Sequence, residues 1–107
     1  MIDLPSKHLE IVNAILAEHV PEFTVWVFGS RATNSAREYS DLDLAVITEQ
    51  PISVRRIDLL AAAFSESDMP IKVDIVDWAS TSPGFRKVIQ QNHEVLTTGE
   101  ASSSEDN

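Results

Sequence analysis

The stretch VFGSRATNSAREYSDLDLAVI, residues 27–47, decides the predicted fold. An apolar segment stops at Gly29 and Ser30, a run of mostly polar residues follows, and a second apolar segment starts with an Asp-Leu-Asp triplet. Side chains alternate along a strand, so Asp41 and Asp43 would project from one face and the leucine between them from the other. If the Gly-Ser pair is to meet Asp41, the two strands must run antiparallel.

The remaining periodicity indicates a small sheet with helices packed on it. The predicted order is a helix from Ser6 until Pro21, strand 23–28, a short helix 30–34, strand 41–47, a helix from Val54 through Phe64, strand 71–76, and a helix from Pro83 through Ile89 and on towards His93. Strands two and three are joined through a helix, which favours a right-handed parallel crossover. The predicted fold class is therefore α+β with a mixed sheet.

A third carboxylate lies within the third predicted strand. Asp74 interrupts an otherwise apolar run, where an unpaired charge is rare. If that strand lies beside the second, Asp74 faces Asp41 and Asp43, whose own α-carbons would be about 7 Å apart. Three clustered carboxylates repel one another unless cations neutralise them. The pattern therefore predicts a site for Mg²⁺, a hard cation that takes carboxylate and phosphate ligands. Asp77 projects from the opposite face and is predicted to be a strand-end residue.

The Gly-Ser turn is suited to phosphate. Gly29 has no side chain, so a phosphate can approach its backbone, and Ser30 would begin a helix whose free amides and dipole favour an anion. Arg31 either contacts the phosphate or pairs with a surface acid. Phosphate recognition beside metal-binding carboxylates predicts a site for a nucleoside triphosphate.

Composition limits the classes of protein that fit. The 107 residues carry a formal net charge of −9 and no cysteine. The acidic surface weighs against a nucleic-acid partner, and the missing cysteines exclude disulfides and thiolate chemistry. We expect one domain over residues 1–98 and a disordered acidic tail over 99–107. No secretory signal or membrane-spanning stretch is visible, so the expected location is the cytoplasm.

The constellation of Gly29, Ser30, Asp41, Asp43 and Asp74 resembles the signature of the nucleotidyltransferase superfamily related to DNA polymerase beta. The small size resembles the minimal nucleotidyltransferases, including the MntA-type antitoxins paired with HEPN-domain toxins. This resemblance implies ATP as substrate, two Mg²⁺ ions, and transfer of AMP to a hydroxyl, such as that of a tyrosine, on a HEPN-domain partner in a hetero-oligomer.

One position departs from the family pattern. Many members have glycine shortly after the Gly-Ser-Arg, where this chain has Asn34. Asparagine tolerates the left-handed backbone conformation better than most residues, so we expect the loop shape to survive.

Two functions of different classes remain open. The first is an active nucleotidyltransferase in which Asp41, Asp43 and Asp74 hold metal and Asp74 orients or deprotonates the acceptor hydroxyl. The second is a non-catalytic nucleotide-binding subunit that neutralises or regulates its partner by forming a complex. The three costly clustered acids favour the enzyme.

Overall fold

A computed structural model describes residues 2–99. They form three α-helices, two short 3₁₀ turns and four strands: α1 Ser6–His19, β1 Thr24–Phe28, β2 Leu42–Ile47, α2 Val54–Ser65, β3 Val73–Asp77, α3 Pro83–Gln91 and β4 His93–Thr97, with 3₁₀ turns at Gly29–Arg31 and Trp78–Ser80. None of these helices combines the length and apolar character needed to cross a lipid bilayer.

The strands form one mixed sheet in the order β3-β2-β1-β4. β1 pairs antiparallel with β2, and β2 pairs parallel with β3 across α2, as the sequence predicts. Because β2 and β3 run side by side in the same direction, their amino-terminal ends lie together at one end of the strands. β1 runs the other way, so its carboxyl end, and the Gly-Ser turn that follows it, lies at that same end.

The two faces of the sheet have different cores. Helices α1 and α2 cover one face, where the buried residues include Leu42, Leu44 and Val46 of β2 and Val25 and Val27 of β1. Helix α3 covers part of the other face through Ile89, which packs with Phe28 and Ala45. The alternation within β2 therefore sends its leucines into the main core and leaves Asp43 on the α3 face.

Two predicted elements differ from the structure. The last helix ends at Gln91, because Asn92 adopts an extended backbone, and His93 begins a fourth strand that the periodicity did not reveal. The short helix predicted for residues 30–34 is a single 3₁₀ turn over Gly29–Arg31. The predicted tail lies outside the described residues apart from Gly99, whose amide donates to the Thr24 hydroxyl at 3.2 Å.

Candidate functional site

The three predicted carboxylates lie together at the amino-terminal ends of β2 and β3. Asp43 is the direct cross-strand partner of Asp74, and paired residues in neighbouring strands project from the same face. Asp41 immediately precedes β2 and acts on Asp43 electrostatically. The sheet register thus brings together the acids that the strand alternation predicts to share a face.

The Asp43 carboxylate also lies against the backbone of Gly29. The glycine has φ +76°, a left-handed conformation, and a β-carbon added there would overlap Asp43 Oδ2. Only glycine satisfies both conditions, because every other residue carries a β-carbon. The Gly-Ser turn and the carboxylate cluster are therefore one structural unit.

The electrostatics of the cluster are unfavourable for its anionic state. Burial raises the pKa of the Asp43 carboxyl above its ordinary value, and the negative charges of Asp74 and Asp41 raise it further, with Lys72 opposing them. No described residue donates a hydrogen bond to the Asp43 carboxylate. The cluster therefore holds negative charge that the surrounding fold leaves largely uncompensated.

One cation contacts the cluster from the solvent side. Lys72 Nζ lies 3.3 Å from Asp74 Oδ1, and the lysine side chain is 72% exposed. Exposed pairs of this kind contribute little to stability, so Lys72 compensates the cluster only weakly. The sequence reasoning missed Lys72, although its position two residues before Asp74 places both on one side of the chain.

The Gly-Ser turn offers part of the predicted phosphate site. The Ser30 hydroxyl makes no hydrogen bond within residues 2–99, so it is available to a ligand. The loop beyond it closes through Asn34, whose φ is +60°, so the left-handed conformation expected there is confirmed. The prediction that Ser30 begins a helix whose dipole favours an anion is wrong, because a 3₁₀ turn of three residues has no substantial dipole.

Arg31 is directed into the protein and not towards a phosphate. Its side chain is 5% exposed. The guanidinium donates to the carbonyl oxygens of Asp3 at 2.9 Å and Ser40 at 2.9 Å, and also to those of Arg37 and Glu38 at 3.3 and 3.2 Å. These hydrogen bonds fix the conformation of the loop that leads to Asp41. The predicted phosphate contact is replaced by a structural role that positions this loop.

The donor set suits a hard divalent cation. Carboxylate oxygens are its preferred protein ligands, and a cation would offset both causes of the raised pKa of Asp43, its burial and the repulsion from Asp74 and Asp41. Within residues 2–99, no three acidic or histidine side chains converge closely enough to form a complete metal cage. Mg²⁺ is usually held by one or two carboxylates together with substrate phosphates and water, so the arrangement fits an ion that arrives with a nucleotide.

A large cleft in the described part of the chain lies away from this chemistry. A cleft of about 790 Å³, lined by residues that include Phe23, Pro51 and Arg56, lies at the carboxyl end of β2. The carboxylate cluster is at the opposite end of the same strand. We assign the site from its chemistry, because size alone does not supply groups that bind metal or phosphate.

Comparison with a family model identifies the family to which the fold belongs. Residues 10–101 match the model described as "Polymerase beta, Nucleotidyltransferase". A protein of Haemophilus influenzae named "Probable protein adenylyltransferase MntA" is 50% identical over 95 residues, covering 89% of this chain and 83% of that protein.

Solved structures show the same fold. One match, with a TM-score of 0.72 and 21% identity, is a chain from a crystal structure of a toxin–antitoxin with AMP-PNP and covers 90% of this chain and 77% of that one. Another, with a TM-score of 0.60 and 19% identity, is from a tri-AMPylated Shewanella oneidensis HEPN toxin in complex with MNT antitoxin and covers 92% and 76%.

Proposed function

The chain belongs to the polymerase beta nucleotidyltransferase family, and we propose that it transfers the AMP group of ATP to a hydroxyl of a partner protein. The observation that carries this proposal is the carboxylate cluster of Asp41, Asp43 and Asp74 set directly against the Gly29 turn. Because ATP is an intracellular substrate, we place the reaction in the cytoplasm.

Each residue of the cluster has a proposed role. Asp41 and Asp43, with Asp74 beside them, would hold Mg²⁺. Sites of phosphoryl-transfer chemistry typically hold two such ions. When bound, the metal neutralises charge on the phosphates and on the carboxylates. Gly29 lets the triphosphate approach the backbone, and the Ser30 hydroxyl donates a hydrogen bond to it.

The transfer step follows from this placement. The acceptor oxygen attacks the α-phosphorus in line, the bond from the α-phosphorus to the bridging oxygen breaks, and pyrophosphate leaves. Asp74 orients the acceptor hydroxyl and takes its proton. Asp74 is suited to this role because β3 is an edge strand of the sheet, so an acceptor can approach it from the open side.

We propose a HEPN-domain protein as the acceptor, within a hetero-oligomer. A structurally similar MNT antitoxin forms a complex with a tri-AMPylated HEPN toxin, and the Haemophilus influenzae relative carries a protein adenylyltransferase name. The same reasoning makes this chain the antitoxin of the pair, which inactivates its partner by modifying it.

A second candidate is a subunit that binds nucleotide or partner and inhibits by contact alone. The Gly29–Arg31 turn would serve such a subunit equally well, because it can hold a nucleotide whether or not transfer follows. The two candidates differ in one respect that can be measured, since only the enzyme requires the Asp43 carboxylate for inhibition.

The test is incubation with α-labelled ATP, Mg²⁺ and a HEPN-domain protein from the same organism, with label on protein and released pyrophosphate as readouts. We expect labelling by the wild type, labelling slower by on the order of 10²–10³-fold by Asp43→Asn, and wild-type labelling by the matched control Asp58→Asn, whose exposed carboxylate lies on α2. Labelling by Asp43→Asn at the wild-type rate would refute the mechanism. Partner inhibition that survives without any labelling would establish the contact mechanism.

A further inference from the structure

Helix α3 exposes large apolar side chains on the face of the sheet that carries the carboxylates. Phe85 is 41% exposed and Val88 is 56% exposed. They are three residues apart and therefore share one side of the helix. Val95 of β4, which pairs with Trp26 on this same face, is 53% exposed. Isolated exposed apolar residues are common, but these three share one side of the molecule.

This surface begins immediately beside the candidate site. The Phe85 ring packs edge-on against the Phe28 ring, with 5.7 Å between centroids and 83° between planes. Phe28 is in turn the cross-strand partner of Asp43, and both side chains project from the same face. Directly paired residues have β-carbons about 5 Å apart. Phe28 thus connects Phe85 to the carboxylate cluster.

We propose that Phe85, Val88 and Val95, here called the apolar flank, are the surface on which the acceptor protein docks. The inference rests on the proposed function and adds where the acceptor binds. The occupant is a protein surface with an apolar centre and a basic rim, which presents its hydroxyl to Asp74. Stable interfaces commonly combine a buried apolar centre with a polar rim.

Charge complementarity argues for a basic rim. The chain has 17 acidic and 8 basic residues, and three of the acids form the cluster next to the flank. Helix α3 itself contributes Arg86 and Lys87, so the negative charge that faces a partner is that of the cluster. An acidic partner surface beside the cluster would be repelled, whereas a basic one is attracted and oriented there. Association should therefore weaken as salt concentration rises, because counter-ions screen the rim charges.

A nucleobase stacked on Phe85 is the competing occupant. A base covers one ring, however, and would leave Val88 and Val95 exposed to solvent. The spread of the flank over a helix and an edge strand matches a macromolecular partner better. The two occupants predict different kinetic effects, because one changes nucleotide affinity and the other changes acceptor affinity.

The experiment compares Val88→Lys with the matched control Leu59→Lys. Leu59 is 48% exposed on α2, which covers the opposite face of the sheet, and both substitutions add one positive charge to a helix. With ATP saturating, we expect Val88→Lys to raise the HEPN-protein concentration for half-maximal labelling about tenfold or more, as for an interface residue of large effect. AMP-PNP affinity and melting temperature should match those of Leu59→Lys.

Three outcomes decide the proposal. Unchanged acceptor dependence in Val88→Lys would overturn it, and weakened AMP-PNP binding with unchanged acceptor dependence would reassign the flank to the nucleotide. If the wild type labels nothing, the proposed function fails, yet direct binding of the HEPN-domain protein still tests the flank through the same pair of variants. Val95→Lys on the exposed edge strand gives a second test should Val88→Lys not fold.

Discussion

The two ends of the β2–β3 pair carry aspartates with opposite surroundings. At the carboxyl end, Asp77 accepts hydrogen bonds from the Thr48 hydroxyl at 2.5 Å, the Ile52 amide at 2.9 Å and the Ser80 hydroxyl at 3.0 Å. At the amino end, Asp43 receives none from the described residues. The fold therefore surrounds the Asp77 carboxylate with hydrogen-bond donors, whereas no described residue donates a hydrogen bond to the Asp43 carboxylate.

The pKa directions express the same contrast. Burial alone would raise the pKa of Asp77, but the hydrogen bonds from Thr48, Ile52 and Ser80, with a smaller contribution from the nearby Ala79 amide, outweigh it and hold the pKa below its ordinary value. Burial and like charges raise the pKa of Asp43. This contrast gives Asp77 a structural role and supports the proposal that the Asp43 cluster binds a ligand.

The largest expected effect is the loss of activity in Asp43→Asn. We expect AMP transfer to fall by on the order of 10²–10³-fold, because a group that stabilises charge in the transition state is removed. Stability without metal should stay the same or rise, because the substitution removes repulsion with Asp41 and Asp74. Labelling rate and urea denaturation measure the two quantities. A clear loss of stability would place Asp43 with Asp77 as a structural acid.

Arg31→Met tests whether the buried Arg31 guanidinium, close to the carboxylate cluster, has a structural role like that of Asp77. Its buried guanidinium donates to four backbone carbonyls, and leaving these unpaired should cost about 2–3 kcal/mol of the free energy of unfolding. The matched control is Arg37→Met in the same loop, whose side chain is exposed and should contribute less than about 0.5 kcal/mol. Urea denaturation compares them. Equal effects would contradict the structural role of Arg31.

Sequence reasoning found the unsatisfied charges more readily than the satisfied ones. The shared face of Asp41 and Asp43 follows from the two-residue period of a strand, and Asp74 follows from a charge inside an apolar run. The inward direction of Arg31 depends on where the carbonyls of residues 37–40 come to lie, which local sequence does not specify. In the same way, His93–Thr97 becomes a strand through pairing with β1, a contact distant in sequence.

Gly29→Ala tests the close approach that joins the turn to the cluster. A left-handed backbone costs a residue with a β-carbon about 1–2 kcal/mol, and the new carbon would also displace Asp43. Transfer should therefore fall together with stability. The control is Gly84→Ala in α3, where an added β-carbon meets nothing within 4 Å and should stabilise the helix by about 0.5–1 kcal/mol. Wild-type transfer by Gly29→Ala would mean that Asp43 does not need its observed position.

Asp77→Asn is the complementary substitution at the satisfied end. We expect a loss of about 1–2 kcal/mol in the free energy of unfolding, because an amide presents one acceptor oxygen where the carboxylate presents two to its three direct donors. Thr48→Val keeps the volume but removes one donor to Asp77 and the acceptor of the Ala79 amide, so it should cause a loss of similar size. Transfer measured well below the melting temperature should remain at the wild-type rate.

The pH dependence of that loss identifies the carboxylate as its source. Because the folded pKa of Asp77 is lowered, its stabilising contribution is complete above the unfolded-state value of about 3.9 and disappears as the pH falls through the lower folded value. The stability difference between wild type and Asp77→Asn should therefore be constant near neutral pH and shrink below about pH 4. Urea denaturation at pH 7 and pH 3 measures it. A difference that is as large at pH 3 would mean that packing, and not the charge of Asp77, holds this end together.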